Sequence, residues 1–63
     1  MAIEVEQIIN TPDTDYPDIY GHVTAVVHDT ETGERSTASY EYDHFTTQSD
    51  AEASAIQAAI NKL

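Results

Sequence analysis

The 63-residue sequence predicts an α+β fold, a three-stranded antiparallel meander with one C-terminal helix packed on one face (β-β-β-α). Three observations carry this. Two stretches that alternate apolar and polar residues invert their parity on either side of Gly33, a shorter N-terminal stretch alternates the same way, and the chain after Ser49 changes to helical spacing.

The hairpin organises the rest. From Asp18 to His28 the odd positions Ile19, Val23, Ala25 and Val27 are apolar, while Tyr20, His22, Thr24 and His28 are mostly polar. On the second arm Ala38, Tyr40 and Tyr42 take even positions, and Arg35, Thr37, Ser39, Glu41 and Asp43 odd ones. Side chains alternate across a strand, so the two apolar sets share a face only if paired residue numbers sum to an odd value. That excludes a three-residue loop. It favours Thr30-Glu31-Thr32-Gly33 closed by Asp29 and Glu34, with Gly33 at the left-handed position; a two-residue Thr32-Gly33 loop gives the same faces.

Ala2 to Ile9 reads as the first strand, with Ile3, Val5 and Ile9 on one face and Glu4, Glu6 and Ile8 on the other, Gln7 being a polar lapse on the apolar side. Asn10 to Pro17 reads as a loop, because its two prolines remove backbone donors and Asn10, Asp13 and Asp15 favour side-chain-capped turns. The terminal helix spans about Ser49 to Lys62. Ser49 and Glu52 have capping-box spacing, and Asp50 suits the positive end of the helix dipole. Ile56, Ile60 and Leu63, beside Ala53 and Ala59, form the stripe expected to face the sheet; Ala51, Ala55 and Ala58 form a shallower second one. The predicted core is Ile3, Val5, Ile9, Ile19, Val23, Val27, Tyr40, Tyr42, Phe45, Ile56, Ile60 and Leu63.

The totals bound a single domain, residues 1–63, near the lower limit for independent folding. So small a core, short of large residues, points to a homodimer. With no cysteine there is neither a disulfide framework nor a thiolate metal site, in keeping with a reducing compartment. No apolar run reaches membrane-span length, and Met1 to Ile9 carries no basic region or cleavage-like segment, so a cytoplasmic location is expected.

Charge is the anomaly. There are 12 Asp and Glu but only 2 Lys and Arg, a net charge of -10. Missing cations, not excess acids, set this balance. It argues against direct binding to nucleic acid or an anionic membrane and favours steering toward a basic partner.

Chemistry finds little footing. His22 and His28 share a face but lie about 20 Å apart at ~3.3 Å per residue, and His44 has the opposite parity, so the histidines do not form one metal site. Asp13-Thr14-Asp15 followed by Asp18 has the opening of a calcium loop without its glycine or its late glutamate. His22 falls opposite Glu41, a spacing that suits a cross-strand ion pair as well as a catalytic dyad. The hydroxyls of Thr24, Thr37 and Ser39 lie on an open face. An enzyme is not expected, and no cofactor is implied.

What remains is the face away from the helix. By parity it carries Glu4 and Glu6 on the first strand, Glu41 and Asp43 on the third, and Tyr20 and His22 between them, with Asp13, Asp15 and Asp18 on the neighbouring loop. Two anionic rails about 10 Å apart would match in scale the phosphate rows beside a DNA groove. In size, acidity and sheet-plus-helix outline the chain resembles the small acidic inhibitors that phages encode against host enzymes, among them anti-CRISPR proteins, anti-restriction proteins and uracil-DNA glycosylase inhibitors. The resemblance implies a non-enzymatic inhibitor that mimics nucleic-acid phosphates on a basic surface of a nucleic-acid-binding protein, in the host cytoplasm. The alternative is a salt-adapted halophile domain with a structural or oligomerisation role. Such a chain would gain structure strongly between dilute buffer and molar salt.

Overall fold

A computed structural model describes residues 2–63; Met1 lies outside the described residues. Three antiparallel strands, β1 (Ile3–Pro12), β2 (Gly21–Asp29) and β3 (Arg35–Tyr42), form a sheet in that order, and α1 (Gln48–Asn61) follows. The β2–β3 register is the predicted one. His22 pairs with Glu41 and Thr24 with Ser39, the Asp29 amide donates to the Glu34 carbonyl oxygen at 2.8 Å, and Gly33 closes the four-residue loop at φ 80°. Asp29 is itself buried, and its carboxylate accepts the Glu31 amide at 2.9 Å inside the turn.

β1 departs from the expected pattern. It runs on to Pro12, taking Asn10 and Thr11 out of the expected loop, and it carries a bulge at Glu6: Val5 pairs with Val27 but Gln7 with Val26. One extra residue inverts the parity beyond it. Ile8, opposite Ala25, therefore lies on the helix side, and Ile9, opposite Thr24, lies on the open side, the reverse of the expected placement. The bulge removes the polar lapse, because Gln7 moves to the wet face and Asn10 takes a dry-face place where it accepts the Tyr42 hydroxyl at 2.9 Å. β2 begins at Gly21, since Ile19 and Tyr20 belong to a turn closed by their amides on the Tyr16 carbonyl oxygen.

The helix also sits differently from the expected way. Its N-cap is Thr47, whose hydroxyl accepts the Asp50 amide, so the cap is Thr47 and not Ser49. The buried line is Ala51, Ala55 and Ala59, each fully buried; Ala53 is exposed, and Ile56, Ile60 and Leu63 are half-buried flanks. At 100° per residue Ala58 and Lys62 fall on one side of that line, Ile56 and Ile60 on the other. Lys62 Nζ donates to the Thr37 carbonyl oxygen at 2.9 Å, which fixes the first side over β3 and turns Ile56 and Ile60 toward β1.

An alanine-faced helix lies close to a sheet, and large side chains are excluded from beneath it. Val23, Ala25, Val27 and Ala38 fill the contact, with Tyr42 closing one end. Tyr40, on the dry face at the β3 edge, stays 48% exposed, and Val5 on β1 47%. Ile9, Ile19 and Phe45 are likewise outside the core that the sequence predicts for them, Phe45 at 87% exposure. No helix is long and apolar enough to cross a membrane among the described residues.

Candidate functional site

The register decides where the acids stand. On the open face β2 rows run Glu4–His28–Arg35, Gln7–Val26–Thr37, Ile9–Thr24–Ser39 and Thr11–His22–Glu41. Glu4 and Glu6 thus lie at the hairpin end of the sheet, and Glu41 and Asp43 at the other. Residues 22 and 28 are separated by ~20 Å of strand, so the expected pair of facing rails is not formed. The middle of the face is uncharged.

The hairpin end is partly compensated. Arg35 reaches across β2 so that Nε donates to both carboxylate oxygens of Glu6, at 2.9 and 3.2 Å. That hydrogen bond, with the guanidinium charge and His28 beyond it, holds the Glu6 carboxyl below the usual range, and the Arg35 guanidinium is raised in return. Both groups are solvated, so the pair is worth little to stability. Lys62 lies toward the same end, over Thr37.

The far end holds no Lys or Arg. In a molecule 41 × 18 × 13 Å, it gathers Asp13, Asp15, Asp18, Glu41, Asp43 and the helix-start Asp50. An open cleft of about 380 Å3 there is lined by Asp13, Tyr20, His22, Glu41, Tyr42 and Asp43. A second, of about 490 Å3, shares Tyr42 and Asp43 and is bounded by Asp18, Ile19, His44 and Thr47. Of the nine residues singled out in the sequence, Asp13, Tyr20, His22, Glu41 and Asp43 therefore share one cleft, Asp15 and Asp18 sit on the loop beside it, and Glu4 and Glu6 are remote.

Two acids here are also structural. The Asp13 carboxylate accepts the amides of Asp15 and Tyr16 at 2.9 and 3.0 Å, closing the β1–β2 connection. The Asp43 carboxylate accepts those of Phe45 and Thr46 at 2.8 and 2.9 Å, and these bonds hold its carboxyl below the ordinary value of 3.8. A depressed folded-state value means that Asp43 supports the fold above its unfolded value and that this support is lost as pH falls through the folded one. Urea midpoints are therefore expected to fall below about pH 4. Asp43→Ala should flatten that acid limb and lower the midpoint at pH 7, and an unchanged limb would refute the assignment.

Aromatic rings are what sequence reasoning missed here. Tyr16 meets Tyr20 edge-on at 6.0 Å between centroids, Tyr20 meets His44 at 5.7 Å, and His44 meets Phe45 at 4.6 Å. Tyr20 Oη and His44 Nδ1 are 3.1 Å apart. Tyr16 is 60% exposed, so the row begins and ends in solvent. Tyr20, just outside β2, is one of the two inner rings of this row. Phe45, expected in the core, instead packs on its neighbour His44, and it is His44 that joins the row to Tyr20 in a loop distant in sequence. Among the described residues no group of three or more His, Asp or Glu side chains is placed to hold a metal ion.

Comparison with protein-family models, with curated proteins and with solved structures finds no match.

Proposed function

We propose that the protein is a non-enzymatic interaction module of the inhibitor type, which occupies a basic surface of another protein that ordinarily holds nucleic-acid phosphate. The observation that carries this reading is the cation-free end, where carboxylates of Asp13, Asp15, Asp18, Glu41 and Asp43 surround a row of exposed aromatic rings. Carboxylates steer a cationic surface and set orientation. Rings such as Tyr16 and Phe45 supply the apolar anchors that interfaces concentrate, and their faces also accept Arg and Lys. The same charge disfavours nucleic acid and anionic lipid as direct ligands. The site of action is the cytoplasm, that of the host if the chain is phage-encoded.

The test begins with capture of partners on the immobilised chain and competition by duplex DNA or RNA. Asp18→Lys with Glu41→Lys should then weaken binding of the captured partner by about 30-fold or more, since interfacial charge pairs carry roughly 2 kcal/mol or above. Glu31→Lys with Glu34→Lys changes net charge equally at the hairpin and should cost only a few-fold, through slower association. Phe45→Ala should weaken binding at high salt as well as low. Equal losses from both charge pairs, or partners that nucleic acid does not displace, would overturn the reading.

A further inference from the structure

We infer that the outer edge of β1 is a self-association surface, on which Gln7–Thr11 pairs antiparallel with the same segment of a second copy about a two-fold axis at Ile9. Both outer strands have a free edge, but they are unlike. The β3 edge carries a cation, Lys62 Nζ on the Thr37 carbonyl oxygen, and charges of this kind discourage strand addition. On β1 the Arg35 guanidinium stops at Glu6, and the strand beyond it carries none. The first half of the β1 edge is disrupted by the bulge at Glu6; its second half, Gln7-Ile8-Ile9-Asn10-Thr11, keeps one register with β2 and is uncharged.

The backbone of that half is correctly presented. Thr30 N–H donates to the Ala2 carbonyl oxygen at 2.8 Å, and Asp13 N–H to that of Tyr20 at 2.9 Å, at the two ends of the β1–β2 ladder. Alternation then turns the Ile9 and Thr11 backbone groups toward β2 and those of Ile8 and Asn10 outward. With the axis at Ile9, Ile8 faces Asn10 of the second copy and the reverse, giving reciprocal hydrogen bonds, while Ile9 meets its own copy on the open face. Shifting the register by two residues one way brings in Glu6 and the other way Asp13.

Apolar cover and charge both favour a second copy over a foreign strand. The helix sits over β2 and β3, leaving Val5 and Ile8 exposed beside the half-buried Ile56 and Ile60 flank, so two copies would bring matching apolar flanks together over the seam. Antiparallel pairing also lays the cation-free end of each chain beside the end that carries Arg35 and Lys62 in the other. Like-charged copies repel elsewhere, so association should strengthen as salt rises, opposite to binding of a basic partner.

Sedimentation or light scattering from micromolar to millimolar concentration, in about 0.1 M and about 1 M salt, tests this with the full chain. The expected mass moves from 6.9 kDa toward twice that value, at lower concentration in the higher salt. Ile9→Glu places two carboxylates at the axis and should hold the mass at that of one chain, with an unchanged circular dichroism spectrum. Thr37→Glu, of equal charge on the same face at β3, should not. Ile9→Cys provides an independent readout, because the chain has no other cysteine and directly opposed residues of a non-hydrogen-bonded pair lie within disulfide reach. It should cross-link on mild oxidation far faster than Thr37→Cys. A single-chain mass throughout, equal loss from both glutamates, or equal cross-linking rates would each overturn the proposal.

Discussion

Gly21→Ala is expected to destabilise the fold by about 2–4 kcal/mol, combining overpacking of about 1–3 with loss of a hydrogen bond of about 1. A Cβ at this position collides with the Tyr42 hydroxyl, stands 2.6 Å from the ring carbon that bears it, and 2.8 Å from the Thr11 carbonyl oxygen. The Thr11 oxygen belongs to the β1–β2 ladder and cannot swing away. Tyr42 must therefore leave a place where it is 6% exposed and release Asn10. A domain of this size has roughly 3–9 kcal/mol in total at 0.05–0.15 per residue, so much of the stability is at stake. Urea midpoints give the measurement, with Tyr42→Phe as comparison. That change removes only the hydrogen bond, about 0.5–1.5 kcal/mol, and Gly21→Ala should cost less in its background because the two positions share one contact. Gly33→Ala is the contrast. It meets no atom within 4 Å, so its cost is the left-handed backbone alone, about 1–2 kcal/mol. A Gly21→Ala penalty no larger than that of Gly33→Ala would show that Tyr42 does not lie across Gly21.

Strand order, the β2–β3 register and the four-residue turn were legible because period two and a glycine at a left-handed site are local signals. The β1 bulge left a trace too: Gln7 broke the apolar alternation, and the break marks the place where an extra residue was needed. What the pattern could not convey was its consequence, the exchange of Ile8 and Ile9 between faces, since that depends on which partner Asn10 finds, and the partner is Tyr42, on a strand two removed. The candidate site shows the same division. His22 opposite Glu41 followed from parity, but the separation of Glu4 and Glu6 from Glu41 and Asp43 follows from β1 and β3 running parallel to each other with acids at opposite ends. The meander implied this direction; face assignment alone ignored it. The row from Tyr16 to Phe45 needs two connections to fold against each other, which no periodicity encodes.

The rotation of α1 is the point at which sequence pattern and packing disagree most, and substituting two alanines distinguishes them. Ala55→Leu should destabilise by about 1–3 kcal/mol, because Ala55 is fully buried where the helix meets the sheet and added methylenes must lift the helix or displace the sheet side chains beneath it. At roughly 4–8 °C per kcal/mol for a domain of this length, the melting temperature should fall by about 5–20 °C. Ala53→Leu, two residues away and exposed, should lie within about 0.5 kcal/mol of the parent. Had the helix turned its isoleucine stripe to the sheet, the order would reverse, since Ala53 belongs with Ile56 and Ile60 in that arrangement. Ile56→Ala adds a third measurement. As a half-buried flank it should lose less than the 2–5 kcal/mol typical of a fully buried isoleucine. A close-lying alanine seam, in turn, explains why so little large apolar surface is buried in this chain, and why Val5, Ile8 and Tyr40 remain on the outside: the helix approaches β2 and β3 too nearly to extend over the flanking side chains, and the area left uncovered on β1 is the area that a second copy would cover.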